Sequence, residues 1–164
     1  MEAQQLFSIG HSNVPVARLI VLLQQHHIGV VCDVRSAPYS RYNPQFNREN
    51  LATSLQDQDI IYRFMGESLG GKPQDPMLFS EDGHTPDYIK IAASPTFARS
   101  IERLIGLGTQ TRTAFMCGEA DYRRCPRHVL VTPALIERGI TVWHILPDGD
   151  LVRGVAVPLQ ERMF

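Results

Sequence analysis

The chain has 164 residues, of which 43% are apolar and 20% are charged, as in an ordinary single globular domain with a full core. The formal net charge is −1 and the sequence pI is about 6.6, which excludes the global basic field that drives non-specific DNA binding. Any anion site must therefore be local, and we expect residues 1–164 to form one domain.

The N-terminus and the cysteines bear on the compartment. The segment from Met1 to Gln5 has neither a basic region nor a long apolar run, so it lacks the features of an export signal. Cys32, Cys117 and Cys125 have unrelated spacings and form no disulfide framework. No apolar run approaches the roughly 20 residues that a membrane span needs. We therefore expect a cytoplasmic protein with reduced thiols and no membrane partner.

The first strand and helix are short. Leu6–Ile9 predicts a strand, and the turn after it leads into a helix with Asn13 as N-cap and Pro15 in the first turn. The apolar positions of this helix follow the helical period: Val16, Leu19, Ile20 and Leu23. Residues 29–34 then form a continuous apolar run, which indicates a central parallel strand buried on both faces.

The loop after this strand leaves the apolar pattern abruptly. Residues 35–48 contain three arginines and no acidic residue, with Tyr39, Tyr42 and Phe46 interleaved. Fixed positive charge beside aromatic faces suits an anionic, nucleotide-like ligand. The sequence therefore predicts a ligand site in this loop.

The second helix begins at this loop. Asn47 is its predicted N-cap, and Leu51 and Leu55 are its apolar positions. Phe46 and Leu51 have the spacing of a hydrophobic staple, so Phe46 is either structural or a ligand contact.

Residues 60–65 predict the third strand, which two adjacent glycines at 70 and 71 follow. These glycines allow either close backbone approach to a ligand or a turn with positive φ. Residues 74–85 show no period and predict an irregular loop. Helices are predicted to start at Thr85-Pro86 and at Ser94-Pro95, and the second of them ends at Gly106 and Gly108. Its buried positions are Phe97, Ile101, Leu104 and Ile105.

Residues 113–117 predict the fourth strand and residues 141–146 the fifth. Between them, Thr132-Pro133 resembles a fresh helix start, so we expect a kink or two short helices. An edge strand is predicted at Val155–Leu159.

This alternation predicts an α/β fold: a single-domain, three-layer structure with a mainly parallel five-stranded sheet and helices on both faces. Ligands of such sheets bind beyond the carboxyl ends of the strands. The loops that carry His11, Arg35, residues 67–72 and Glu119 all follow strands. We therefore expect them to share one rim.

Five ordered motifs resemble those of a known family: Ser8-Ile-Gly-His-Ser12, Asp33-Val-Arg-Ser-Ala-Pro38, Ser40-Arg-Tyr-Asn-Pro-Gln-Phe-Asn47, Leu69-Gly-Gly71, and Met116-Cys-Gly-Glu119 with Cys125-Pro-Arg127. Over residues 6 to 146 the chain resembles the bacterial and archaeal family named domain of unknown function 488. The resemblance implies a small cytosolic α/β domain whose polar motifs gather at one place, but it supplies no established reaction. The functional positions that it implies are His11, Ser12, Asp33, Arg35, Ser40, Arg41, Asn43, Glu119, Cys125 and Arg127.

One position departs from the family pattern. The family motif usually reads Cys-His-Arg, and Pro126 stands here at the His position. Either that His is dispensable, or His128 replaces it, or this member has lost part of the activity.

The cationic and acidic residues of the rim have two interpretations each. Arg35 clamps a phosphate or carboxylate, or it pairs with Asp33 or Glu119 and only braces the loop. A buried Asp33 must have a partner, and it either orients His11 or holds Arg35. His11 is a general acid or base, or it merely hydrogen-bonds the neighbouring loop. Glu119 activates water, or it pairs with Arg124 or Arg127.

Thiolate and zinc chemistry receive weaker support. Cys117 and Arg123 have the Cys-x5-Arg spacing of phosphatases and sulfurtransferases, but Glu119 and Asp121 would repel an oxyanion held between them. A zinc site from Cys117 and Cys125 with His11 or His128 lacks the usual ligand spacings. There is no G-x-G-x-x-G and no P-loop. We expect no metal and no cofactor.

The first hypothesis is an enzyme, a hydrolase or group transferase, that acts on an anionic, nucleotide-like substrate at the carboxyl rim of the sheet. His11, Asp33 and Glu119 would transfer protons. The predicted substrate-binding residues are Ser12, Arg35, Ser40, Arg41, Asn43, Lys72 and Arg127. The alternative is a nucleic-acid or nucleotide-binding module without catalysis, in which the arginine and tyrosine loop stacks bases and binds phosphate.

Overall fold

The computed structural model describes residues 4–125 and 127–156, and for residues 127 and 128 it describes the backbone alone. Its strands are β1 (Gln5–Gly10), β2 (Val30–Asp33), β3 (Ile61–Phe64), β4 (Thr113–Cys117), β5 (Thr141–Ile145) and β6 (Leu151–Arg153). They form one sheet in the order β3-β2-β4-β1-β5-β6. The first five strands are parallel, and β6 is antiparallel to β5. The predicted α/β class with a mainly parallel sheet is confirmed.

The helices cover both faces of the sheet. They are α1 (Val16–Gln25), α2 (Arg48–Gln56), α3 (Gly66–Leu69), α4 (Tyr88–Ala93), α5 (Pro95–Gln110) and α6 (Thr132–Glu137). Side chains of α1 and α2 share one apolar cluster, and those of α3 to α6 share the other. The three predicted layers are therefore present. None of the helices in the described ranges is both long and apolar enough to cross a membrane.

The sixth strand corrects the prediction for the C-terminal region. The sequence predicts an edge strand at Val155–Leu159, but β6 occupies Leu151–Arg153. β6 follows β5 more closely in the chain than predicted, because a tight turn joins the two strands. In this turn Leu146 N–H donates to the Asp150 carbonyl at 2.8 Å, and Gly149 has φ +93°. Residues 155 and 156 are not in a strand, and residues 157–159 lie outside the described residues.

Two predicted helix starts are wrong. α1 begins at Val16 with Pro15 as its N-cap, and Asn13 does not cap it. The backbone of residues 11 and 12 is tied to the loop after β4, and Val14 precedes a proline, so the helix cannot start earlier. Likewise α4 begins with Asp87 as its cap, because the hydroxyl and amide of Thr85 both bind Asp82 instead.

The start of α5 is as predicted, whereas its end is not. The Ser94 hydroxyl accepts the Phe97 N–H, and Pro95 is the first helical residue. The helix continues through Gly106 and Gly108 to Gln110. A Cβ at Gly108 would lie 2.7 Å from the Leu6 side chain, so this glycine allows the helix to approach β1 and does not end it.

Two further expectations about helices are confirmed. One turn of π-helix at Arg127–Val131 precedes α6, so the chain forms two short helical segments around Pro133. Phe46 and Leu51 are both fully buried in the same apolar cluster, as a staple requires. Asn47 is the N-cap residue of α2, but its side chain makes no cap hydrogen bond. Residues 74–85 form an irregular loop with a short 3-10 turn at Pro76–Leu78 and an isolated bridge from Phe79 to Pro86.

The topology creates a crevice at the carboxyl ends of the central strands. The connection after β1 leads to α1 on one face, whereas the connection after the neighbouring β4 leads to the helices of the other face. Adjacent strands whose connections leave in opposite directions form the usual ligand crevice of an open parallel sheet. Gly10 and Cys117 are paired at this point.

Candidate functional site

A cleft of about 520 Å³ opens at the carboxyl ends of β1, β2 and β4. The structure brings together at its walls six of the candidate functional residues from the sequence: His11, Arg35, Ser40, Lys72, Glu119 and Cys125. A second cleft of about 470 Å³ shares His11 and Glu119 with the first, and Ser12 and Asn43 also line it. The loops after β1, β2, β3 and β4 therefore share one rim.

Asp33 and Arg35 form a buried ion pair behind this rim. Arg35 Nη2 lies 2.8 Å from Asp33 Oδ2, and Arg35 Nε lies 2.9 Å from Asp33 Oδ1. The Asp33 side chain is fully buried, and the Arg35 side chain is 11% exposed. Of the two roles predicted for Asp33, the geometry therefore has it holding Arg35. A carboxylate held in this way mainly serves as the counter-ion of the arginine, and accepting a proton is its lesser role.

Tyr62 is a member of this network that the sequence did not indicate. Its hydroxyl donates to Asp33 Oδ2 at 2.5 Å. Burial, followed by the charge of Asp33, raises the pKa of Tyr62 above its ordinary value. The phenol therefore stays a hydrogen-bond donor to the carboxylate. Its only sequence signal was a polar aromatic residue in a strand next to β2, which is too common to single out.

His11 contacts the exposed side of the same guanidinium. Its Nδ1 lies 2.6 Å from the Ser12 carbonyl oxygen, so Nδ1 carries the hydrogen and donates it. Arg35 Nη1 lies 3.2 Å from His11 Nε2, which then accepts. A neutral His11 satisfies both contacts at once. Its ring also stacks on Phe46, with centroids 4.4 Å apart, so Phe46 supports the site from below.

The backbone around His11 is fixed and strained. His11 N–H donates to the Cys117 carbonyl, and Ser12 N–H donates to the Gly118 carbonyl, both at 3.0 Å. Ser12 has φ +53°, which a serine seldom adopts. Strain of this kind concentrates at ligand sites, where the surroundings hold the residue in place. The carbonyl that orients His11 thus comes from a strained position.

Ser40 and Asn43 lie in a tight turn of the arginine loop. The Ser40 hydroxyl accepts the N–H groups of Tyr42 and Asn43, at 3.1 and 3.3 Å. The Asn47 side chain in turn accepts the Ser40 N–H at 2.7 Å. The Asn47 side chain is therefore used to hold the turn, which explains why it does not cap α2.

Glycines bring the loop after β3 against the arginine loop. A Cβ at Gly66 would overlap the Arg35 carbonyl, and one at Gly70 would overlap the Ser36 hydroxyl. Gly70 has a negative φ of −77°, so it serves close approach between two loops and not a positive-φ turn. Lys72 N–H donates to the Ser36 hydroxyl at 2.9 Å. These contacts place exposed Lys72 at the mouth of the cleft.

Two charged residues of the segment after β4 face the cleft. Glu119 and Arg124 both line it, and both are exposed. Arg124 is 3.9 Å from Asp121, a long ion pair at an exposed position. The neighbouring Arg123 instead makes two close contacts with Asp121 and lines neither cleft. The sequence indicates Arg124 only as a partner for Glu119, whereas the structure places it in the wall of the cleft.

Two predicted binding residues, Arg41 and Arg127, are not among the described residues that line the cleft. Arg41 is exposed and stacks its guanidinium on Tyr42, 5.2 Å from the ring centroid, and it lines neither cleft. The side chain of Arg127 lies outside the described residues, as does Pro126. Their predicted roles remain predictions.

The geometry also bears on the metal site considered above. Among the residues that the structure describes, no three His, Cys, Asp or Glu side chains come together in a way that could hold a metal ion. His11 therefore does not complete a zinc site with Cys117 and Cys125. The side chain of His128, the other candidate ligand, is not described.

Comparison with protein families identifies the chain. Residues 15–133 match the family model described as domain of unknown function DUF488, which is more than half of the chain. The chain belongs to the DUF488 family. The match contains the Asp33–Arg35 pair, Glu119 and Cys125, and His11 lies just before it. No curated protein and no solved structure matches this DUF488 protein.

Proposed function

We propose that this DUF488 protein is an enzyme, a hydrolase or group transferase, that acts on a small anionic substrate in the 520 Å³ cleft. The observation that carries the proposal is the charge of the described residues that line it: Arg35, Lys72 and Arg124 are cationic, and Glu119 is acidic. The chain as a whole has a net charge of −1. Positive charge concentrated in a concave site on a nearly neutral protein favours an anionic ligand.

Arg35 is the rigid part of this site. Four of its five N–H groups are engaged, by Asp33 twice, by the Phe46 carbonyl and by His11. Within the described residues, one Nη1 hydrogen is left for a ligand. Because the guanidinium is already held in place, binding a substrate does not require the Arg35 side chain to become ordered. Asp33 and His11 act in this proposal by positioning Arg35.

Glu119 is then the group that transfers a proton. It borders both clefts, where it can reach a substrate held by Lys72 and Arg124. A carboxylate beside a bound anion can accept a proton from an attacking water or hydroxyl group. The His11 ring is the weaker candidate, because its Nε2 faces the guanidinium of Arg35.

Aromatic residues extend the proposal to nucleotide-like substrates. Tyr39 and Tyr88 both line the cleft. Tyr39 is 58% exposed, and its hydroxyl is fixed by Glu49 at 2.9 Å. An exposed ring at the edge of a cationic cleft can stack on a base while the cations bind its phosphate.

The test is turnover of a panel of phosphate monoesters, nucleotides and sugar phosphates by wild type, Glu119→Gln and Glu67→Gln. Glu67 is an exposed carboxylate of α3 that lines neither cleft, so it is the matched control. We expect Glu119→Gln to lower kcat by about 10²–10⁴-fold, the range for a lost general base. Wild-type rates for Glu119→Gln would contradict the proposed role.

A second function has one specific observation in its favour. Tyr42 is 79% exposed, and Arg41 stacks on it beside the exposed Tyr39. This surface suits stacking and phosphate contacts to a single-stranded nucleic acid without catalysis. Oligonucleotide binding that weakens steeply with salt and is lost in Tyr42→Ala, with no turnover of any substrate, would favour it over the enzyme.

A further inference from the structure

We propose that Cys117 and Cys125 form a redox-active dithiol in the wall of the cleft, and that its reaction partner is a small disulfide or a peroxide. The two sulfur atoms lie 2.7 Å apart. Both residues line the 520 Å³ cleft, and they are 4% and 6% exposed. A small oxidant therefore has a route to two thiols that already face each other.

The surrounding structure fixes this approach. Cys117 ends β4, and Cys125 follows a 3-10 turn at Tyr122–Arg124 that returns the chain to the same strand. The Asp121 side chain caps this turn by accepting the Arg123 N–H. The Tyr122 ring stacks on His144 of β5, with centroids 3.9 Å apart and planes inclined by 6°. A disulfide needs a sulfur separation of about 2.05 Å, so each sulfur must move by only a few tenths of an ångström.

The chemistry balances with a small disulfide as the oxidant. The thiolate of one cysteine attacks a sulfur of the small disulfide, which forms a mixed disulfide and releases one small thiol. The second cysteine then attacks the protein sulfur of the mixed disulfide, forms the Cys117–Cys125 bond and releases the second small thiol. Two electrons pass from the dithiol to the small disulfide, and the two thiol protons end on the released thiols.

With hydrogen peroxide the same two electrons reduce the peroxide. Attack of the thiolate breaks the O–O bond and gives a sulfenic acid and water. The second thiol displaces the sulfenic oxygen as a further water molecule. Tyr88 lines the cleft near this pair, and the pKa of its phenol is raised first by burial and then by the charge of Cys125. Its hydroxyl therefore stays protonated and can donate to a thiolate.

Cys32 provides a control within the same chain. It is fully buried in β2 and lines neither cleft. Burial raises the pKa of its thiol to about 12. A thiol of this kind is neither accessible nor nucleophilic. If the chain were partly unfolded, general thiol oxidation would also modify Cys32. If the proposed dithiol reacts specifically, Cys32 remains reduced.

The test uses the full chain, reduced and then freed of reductant. The protein is treated with oxidised glutathione and, separately, with hydrogen peroxide, alkylated under denaturing conditions, and mapped by peptide mass spectrometry. We expect a Cys117–Cys125 linked peptide that has lost two hydrogen atoms, alkylated Cys32, and full reversal by dithiothreitol. In Cys125→Ser we expect Cys117 to retain a single glutathione adduct. Cys32→Ala should keep the linked peptide.

Either of two results would overturn the proposal. One is that Cys117 and Cys125 are alkylated as completely as Cys32 after treatment. The other is that stable glutathione adducts persist on both in wild type. A second measurement needs no variant: phenylarsine oxide, which bridges close thiol pairs, should bind once per chain and protect Cys117 and Cys125 alone. This test does not depend on anion binding or turnover, so the dithiol and the proposed function fail separately.

Discussion

The carboxylate of Asp33 and the guanidinium of Arg35 meet in two parallel hydrogen bonds, at 2.8 and 2.9 Å, with Asp33 completely buried. The pair joins the end of β2 to the loop that follows it. Around it, Tyr62 binds the carboxylate, and His11 binds the guanidinium. The candidate site is therefore built on a buried charge pair, and the stability of the fold and the proposed ligand binding share residues.

Removing one partner of this pair should destabilise the fold. We expect Arg35→Ala to lower the free energy of unfolding by about 3–5 kcal/mol, because Asp33 would keep a buried charge without its counter-ion. Urea denaturation measures this change. Arg123→Ala removes an exposed arginine paired with Asp121, and we expect it to change stability by less than about 0.5 kcal/mol. A loss below about 1 kcal/mol in Arg35→Ala would contradict the buried ion pair between Asp33 and Arg35.

Tyr62→Phe should remove the donor to Asp33 and leave the ring in place. We expect a loss of about 1.5–3 kcal/mol at neutral pH, as for a hydrogen bond to a charged group. The measurement is urea denaturation of both proteins at the same pH. Equal stability of the two proteins would mean that the Tyr62 hydroxyl does not stabilise the buried carboxylate.

The same pair of proteins tests the pH dependence. The pKa of Tyr62 is raised in the folded state, so folding favours the protonated phenol. Its contribution is complete below the unfolded pKa of about 10 and falls as the pH rises above that value. Between about pH 9 and pH 11, the stability of wild type should therefore fall more steeply than that of Tyr62→Phe. Tyr39 and Tyr88 are present in both proteins, so their contributions to the pH dependence of stability cancel in this comparison. Parallel curves would contradict the assignment.

Two glycine substitutions should have opposite effects. A Cβ at Gly66 would overlap the Arg35 carbonyl, whereas one at Gly106 meets nothing within 4 Å. We expect Gly66→Ala to destabilise the protein by more than about 2 kcal/mol, because the overlapped atom is backbone. Gly106→Ala lies inside α5 and should stabilise it by about 0.5–1 kcal/mol. Thermal or urea unfolding of both proteins gives the comparison, and a tolerated Gly66→Ala would show that the two loops are not in contact.

The strands were the most predictable part of the fold. β2 and β4 are buried along their whole length and are mostly apolar, and in a chain of alternating elements this pattern is typical of central parallel strands. Helix starts were less predictable, because a Ser, Thr, Asn or Asp near a proline can bind several partners. Thr85 shows this competition: it binds Asp82, and Asp87 caps α4 instead. Asn47 is the N-cap residue of α2 as predicted, although its side chain accepts the Ser40 N–H.

The candidate site was most predictable where a residue lies one or two positions after a strand. His11, Arg35 and Glu119 met that condition, and the structure gathers them at one cleft. Tyr62 lies inside β3, and its role depends on the pairing of β3 with β2, which the sequence does not encode locally. The proximity of Cys117 and Cys125 depends on the return of the 3-10 turn to β4. Arg124 could not be told from Arg123 by sequence, because the two are neighbours of the same type.

We propose that the cleft binds small anions through Lys72 and Arg124. The most direct measurement is a thermal-shift series with phosphate, sulfate and mononucleotides at two salt concentrations, on wild type, Lys72→Ala, Arg124→Ala and the matched control Arg123→Ala. A ligand at a hundred times its dissociation constant stabilises by about 2.7 kcal/mol, which raises Tm by about 5–10 °C for a domain of this size. We predict such a rise for at least one anion class in wild type and Arg123→Ala, and its loss in Lys72→Ala and Arg124→Ala. Equal shifts in all four proteins, or no shift in any, would contradict the account.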